Sequence, residues 1–101
     1  MIKATVLYGH PSDPAAFEKY YSDTHMPIVA KAQGIAKAEL TKMLPNPDGS
    51  APAYYRMAEL YFNGPAEMQQ TMGSPEGQAL LADLANFATG GVTVITGMVE
   101  N

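Results

Sequence analysis

The residues best suited to chemistry lie between Phe17 and Pro27. His25 stands four residues after Tyr21 and eight after Phe17, with Tyr20 alongside and Pro27 two residues on. An imidazole titrates near neutral pH and serves as a general acid or base when it is held against a substrate. Proline at position 27 has no N–H to give the carbonyl of Asp23, and its ring crowds that carbonyl. A helix bent at this point opens a polar gap beside the histidine. The plain alternative is a partly buried histidine satisfied by a backbone carbonyl or a tyrosine hydroxyl.

Other groups are weighed against His25. His10 precedes Pro11 in a turn and is a candidate for the mouth of the same cavity, or simply a solvated side chain. Asp83 follows Leu80 and Leu81 and orients His25 only if the two helices pack side by side there. Asp23 lies off the apolar stripe and reads as solvated. Arg56, the single arginine, is expected to pair with Glu39 across a hairpin. Six tyrosines and no tryptophan supply most of the aromatic surface. A wall of tyrosine and methionine suits a planar, oxygenated, hydrophobic ligand, with hydroxyls to orient it. No His-x-His or His-x-x-x-His spacing occurs and there is no cysteine, so no metal site is expected. Gly90-Gly91 is followed by no helix and is not a phosphate loop, so no nucleotide cofactor is expected either.

The elements that must position these groups follow from periodicity. Ile2 to Tyr8 reads as a strand. Asp13-Pro14 opens a helix, with the carboxylate as cap and proline at the first position. Its apolar face runs through Phe17, Tyr20, Tyr21, Thr24, His25, Ile28, Val29 and Ala32 to a stop at Gly34. Ile35 to Leu44 and Tyr54 to Phe62 form an antiparallel hairpin around the breaker-rich loop Pro45 to Pro52. A helical region starts at Pro65. Ser74-Pro75 starts a fresh helix with its stripe on Leu80, Leu81, Leu84, Phe87 and Ala88. Val92 to Val99 is the last strand. The order βαββαβ defines a ferredoxin-like α+β fold with a four-stranded antiparallel sheet and the helices on one face.

With 101 residues, the chain is expected to form one domain, residues 1–101. Hydrophobic residues make up 47% and charged residues only 16%, little charge to clothe a small monomer. Apolar residues are expected on both faces of three strands: Ile2, Ala4 and Val6 against Leu7, Met57 and Phe62 against Ala58 and Leu60, and Val92 and Val94 against Ile95 and Val99. A sheet open to water alternates more cleanly. A homodimer packed sheet to sheet, a dimeric α+β barrel, is therefore expected. A net charge of −4 without a basic cluster argues against nucleic acid and anionic membranes. No apolar run approaches the ~18 residues of a membrane span, and a cytoplasmic location is expected.

The pattern Phe17-x-x-Tyr20-Tyr21-x-x-x-His25-x-Pro27, with Tyr8 ending the first strand and Ser74-Pro75-Glu76-Gly77-x-x-Leu80-x-x-Asp83 on the second helix, resembles the EthD family of the dimeric α+β barrel superfamily. That family is named for a protein encoded with ethyl tert-butyl ether degradation genes. Its superfamily includes cofactor-independent monooxygenases, cyclases and isomerases with a pocket between sheet and helices. The resemblance implies that His25 is the polar group of that pocket, with Tyr8, Tyr20 and Tyr21 near it. Many relatives carry tryptophan where this chain has Tyr21. The implied function is metal- and nucleotide-independent chemistry on a small hydrophobic oxygenated compound. The alternative is a non-catalytic accessory or ligand-binding dimer of an ether-degradation or oxygenase pathway.

Overall fold

The computed structural model describes residues 1–100. Strands β1 (Ile2–Tyr8), β2 (Lys37–Lys42), β3 (Arg56–Phe62) and β4 (Val92–Met98) form one antiparallel sheet in the order β2-β3-β1-β4. This is the ferredoxin-like arrangement expected of the element order. One face is covered by two helical arms. The first arm is α1 (Pro14–Tyr20), a π turn (Tyr21–His25) and α2 (Met26–Ala30); the second is α3 (Pro65–Gly73) and α4 (Pro75–Phe87).

The pleat sorts the side chains. In the register, Ala4 pairs with Leu60, Val6 with Ala58 and Ile2 with Phe62, and these even-numbered positions of β1 and β3 face the helices. Ala4, Val6, Tyr8, Ala58, Leu60 and Phe62 are buried there against Phe17, Tyr21, Val29, Leu80, Leu84 and Phe87. Phe62 thus shares its face with Ala58 and Leu60. The expectation that it opposes them overlooked the strict two-residue period of a strand. The other face carries Leu7, Met57 and Ile95 at one end. At the other end Lys3 bonds Glu59, and Tyr61 donates to Glu39 at 2.7 Å.

The hairpin strands are shorter than the sequence pattern promised. β2 loses two residues at each end, and Leu44, beyond it, is 79% exposed. β3 begins at Arg56, because the preceding residues Tyr54 and Tyr55 turn away; Tyr55 N–H donates instead to the carbonyl of Tyr8 at 2.8 Å. At the far end of β1, Gly9 and Gly90 cross backbone to backbone. A side chain on Gly9 would run into the carbonyl of Gly90, and one on Gly90 into that of His10. This close approach brings the start of the first arm beside the end of α4, where the site lies.

Candidate active site

The first arm starts as its sequence requires. Asp13 is extended, and its side chain accepts from the Ala16 N–H at 3.2 Å, with Pro14 at the first helical position. The expected continuous helix then departs from α geometry. From Tyr21 to His25 the backbone is a π turn, and the N–H of Met26 bonds the carbonyl of Tyr21 five residues back. Pro27 explains the change. In a tighter helix its ring would collide with the carbonyl of Asp23, and a wider turn moves that carbonyl aside. The sequence pointed to a distortion here; it left open that the distortion is a widened turn.

The second arm supplies the partner. α4 starts at Ser74, whose hydroxyl accepts from the Gly77 N–H at 3.1 Å. Its buried positions are Gly77, Leu80, Asp83, Leu84 and Phe87. Asp83 therefore lies within the apolar stripe, three residues after Leu80. A carboxylate buried there demands partners, because an unpaired buried charge is costly. It has three. His25 Nδ1 lies 2.9 Å from Oδ2, the Tyr20 hydroxyl donates to Oδ1 at 2.6 Å, and Asn86 Nδ2 donates to Oδ1 at 3.0 Å. The side chains of His25 and Asp83 are only 4% and 7% exposed. Burial pushes the Asp83 carboxyl up, but the bonds from Tyr20, Asn86 and His25 outweigh it and hold the group below the usual carboxylate range. The same bond keeps the proton on Tyr20 more tightly than on a free phenol.

Aromatic rings fix the imidazole. The ring of Phe87 lies 4.6 Å from that of His25, and Tyr21 stacks on His25 at 5.8 Å with 22° between planes. Tyr8 and Phe17 complete the cluster, each meeting Tyr21 within 6 Å. His25, Tyr8 and Tyr21 line one small cavity of about 20 Å³ with Met26 of α2 and Leu40 of β2. Within the described residues, Tyr21 Oη is the one buried side-chain polar atom without a hydrogen-bond partner. Burial pushes its pKa up to about 12, so it stands as a neutral donor at physiological pH; nearby Arg56 pulls the other way. Burial also raises the Tyr8 hydroxyl well above the usual phenol range.

Arg56 does not pair with Glu39. The β2–β3 register sets Glu39 opposite Glu59 and Arg56 opposite Lys42, so the two side chains leave opposite faces of the sheet. Arg56 instead grips Glu18 of α1 through Nη2 at 2.6 Å and Nε at 3.2 Å. Its guanidinium carbon sits 4.8 Å over the Tyr21 ring.

Of the residues singled out by sequence, Tyr8, Tyr21 and His25 meet in one cavity, and Tyr20 reaches the group through Asp83. His10 is not among them: it is exposed, with Nε2 2.7 Å from the carbonyl of Pro52. Asn86 was missed; its only sequence signal is its place three residues after Asp83 on the same helix face. A wider surface hollow, about 430 Å³, lies away from His25, between Gln33, Thr71 and Ser74, and the Thr71 and Ser74 hydroxyls in its wall donate to backbone carbonyls nearby. Among the described residues no group of three His, Asp or Glu side chains is placed to hold a metal ion, and no helix is long and apolar enough to cross a membrane.

This helical layer over an antiparallel sheet, with a histidine–carboxylate pair between the arms, defines a small α+β protein with an enclosed polar site. The match to the EthD domain over residues 10–91 places the chain in the EthD family. It is 44% identical over 95 residues to an uncharacterized 11.0 kDa protein from the thcB-thcC intergenic region of Rhodococcus erythropolis, covering 94% of this chain and 91% of that one. An EthD family protein from Bacillus halodurans superposes with a TM-score of 0.92 at 32% identity, over 99% of both chains. Two more distant structures share the fold alone. One is SnoaB, a cofactor-independent oxygenase from Streptomyces nogalater (TM-score 0.63, 14% identity, 99% of this chain and 92% of that one). The other is a dimeric ferredoxin-like protein of unknown function from Thermobifida fusca (0.68, 14%, 97% and 90%).

Proposed function

We propose that this EthD-family chain is a small-molecule enzyme in which His25, oriented by Asp83, moves a proton on a small hydrophobic oxygenated compound. The observation that carries the reading is the buried His25–Asp83 pair at 2.9 Å, set beside the unpartnered hydroxyl of Tyr21. An ionised Asp83 accepts from Nδ1–H and leaves Nε2 as the basic nitrogen. In the step proposed, Nε2 takes a proton from a carbon or hydroxyl acid of the substrate. The electron pair left behind moves onto the substrate's oxygen, to which the Tyr21 hydroxyl donates. Isomerisation, dehydration and cofactor-free oxygenation share that opening step, and SnoaB is an example of the last on this fold. The proton transfer calls on no metal or nucleotide.

The substrate is a neutral molecule on this reading. Apart from His25 and the tyrosines Tyr8 and Tyr21 the cavity is walled by apolar side chains, and the charge of Arg56 is taken up by Glu18. The cavity of about 20 Å³ admits one water-sized group. A ring-sized substrate enters as Met26 and Leu40, the lining side chains that keep contact with solvent, give way. That small volume also favours a second reading: an accessory protein in which the buried pair is structural and a surface does the binding.

A thermal-shift screen of phenols, quinones, lactones and branched ethers against wild type, His25→Ala and Tyr21→Phe separates the two. A ligand at a hundred times its Kd adds about 2.7 kcal/mol to the stability of the protein that binds it. The enzyme reading expects one class to stabilise wild type and lose its effect in both variants, with turnover of that class abolished in His25→Ala. A screen in which all three proteins respond alike favours the accessory protein.

We also infer that the protein is a two-fold dimer through the uncovered sheet face and acts in the cytoplasm. Leu7, Met57 and Ile95 form an apolar end on that face, and Ile95 is 52% exposed. The Thermobifida fusca neighbour is described as dimeric. Light scattering at micromolar concentration is expected to give a dimer mass that falls to the monomer in Ile95→Lys; a monomeric wild type rules the dimer out.

A further inference from the structure

We propose that Tyr20 and Asn86 are positioning residues for His25: from two helices they hold one oxygen of Asp83 and so commit the other to the imidazole. The proposal rests on the reading of His25 as the group that moves the proton, and it concerns residues that never touch the substrate cavity.

A carboxylate offers two oxygens and can swing about its bond to Cβ. A swing of Asp83 would carry Oδ2 away from His25. The Tyr20 hydroxyl and the Asn86 amide both donate to Oδ1, at 2.6 and 3.0 Å, and arrive from different elements, α1 and the next turn of α4. With His25 on Oδ2 at 2.9 Å, three bonds from three directions define the carboxylate plane. Tyr20 is itself held: its ring stacks on Phe87 at 5.2 Å and 23°. Phe87 is also the ring 4.6 Å from His25, so one side chain steadies both ends of the relay.

The chemistry of the donors sets the tautomer. The Tyr20 hydroxyl and Asn86 Nδ2 both donate to Oδ1, and a donor stabilises the ionised carboxylate over the protonated one. An ionised Asp83 must accept from Nδ1, which fixes the proton there and leaves Nε2 free, as an outer partner commonly does for a working histidine. The titratable groups facing Asp83 are Tyr20 of α1, His25 of the π turn and, further off, Tyr8 of β1. Among the described residues no other charged side chain bonds His25 or Asp83.

Tyr20 and Asn86 are reached from outside. Together with Ser12, Asp13, Phe17 and Thr89 they line an open groove of about 230 Å³ between the start of the first arm and the end of α4. They can be altered without opening the cavity that holds Tyr21.

The test uses the ligand-free protein and reads the ring directly. Two-bond proton–nitrogen NMR correlations report which imidazole nitrogen carries the proton. Wild type is expected to show the neutral His25 ring in the single Nδ1–H form. Tyr20→Phe and Asn86→Ala are each expected to raise the Nε2–H form, and the double variant to raise it several-fold further, in the direction of Asp83→Asn, while circular dichroism stays native. Phenylalanine keeps the stacking on Phe87, so a merely structural Tyr20 would leave the tautomer unmoved. An unchanged tautomer in the double variant, or in Asp83→Asn, overturns the proposal. Should Tyr20→Phe fail to fold, Asn86→Ala alone decides. No substrate enters this experiment, so its failure and the failure of the enzyme reading are told apart: absence of turnover leaves the tautomer result standing, and the reverse.

Discussion

The two helical arms solve the same problem differently. The second arm places each of its prolines, Pro65 and Pro75, at the start of a helix, where no N–H is needed. Ser74 caps α4 and the helix then runs regularly for 13 residues. The first arm also starts on a capped proline, but it carries a second one, Pro27, within its length, and the backbone widens into a π turn just before it. Regularity serves packing: α4 buries Leu80, Leu84 and Phe87 in one stripe. The irregular turn holds Tyr21 and His25, one an orphaned hydroxyl and the other half of a buried pair. The chain keeps its irregular backbone where its unusual side chains are, as π turns at functional sites do.

The arms depend on each other through Asp83, and removing it gives the largest expected effect. Asp83→Ala strips three donors of their acceptor at once and leaves the buried His25 ring without its partner at Nδ1. Urea titration is expected to show a loss of about 2–3 kcal/mol at pH 7, with an unchanged m-value. Asp83→Asn, which retains a carbonyl acceptor, is expected to lose less. The pH dependence follows from the depressed carboxyl. Because the folded pKa lies below the unfolded one, this stabilisation is complete above about pH 4, the ordinary aspartate value, and drains away as pH falls towards the lower folded value. Wild type should therefore lose stability below pH 4 more steeply than Asp83→Asn. Parallel acid profiles would mean that the arms are joined by packing alone.

Much of the frame was legible in the sequence, for physical reasons specific to each element. β1 was read to its ends because its alternation is bounded by Gly9. The starts of α1 and α4 were read because Asp13-Pro14 and Ser74-Pro75 are local signals that act within one turn. The hairpin ends were not, since Leu44 and Tyr54 are apolar residues that the sheet leaves exposed. That His25 faces inward followed from its spacing to Phe17 and Tyr21. Its partner did not follow. Asp83 lies in a stripe that spacing alone could place, yet a carboxylate in a stripe reads as an edge residue until the facing helix is known. Arg56 shows the same limit: its partner depended on the hairpin register, and the register turned it towards α1 and away from Glu39.

Pro27 gives the smallest energetic effect and the sharpest contrast. Replacing Pro75 by alanine leaves a helix start with a free N–H that water can satisfy. It costs roughly 0.5 kcal/mol, mostly by loosening the unfolded chain. Pro27→Ala restores a donor and removes the ring that crowds the carbonyl of Asp23, so its stability should stay within about 1 kcal/mol of wild type. The two variants should look alike in a melting curve. They should differ at His25. Without the ring at position 27 the turn can tighten, and tightening rotates His25 relative to Tyr21 and Phe87, against which it now packs. The His25 ring protons, shifted by both aromatic neighbours, are expected to move in Pro27→Ala and to stay in place in Pro75→Ala. If Pro27→Ala leaves those signals where they are, packing between the arms holds the wide turn by itself, and the proline is a consequence of the site's geometry instead of its cause.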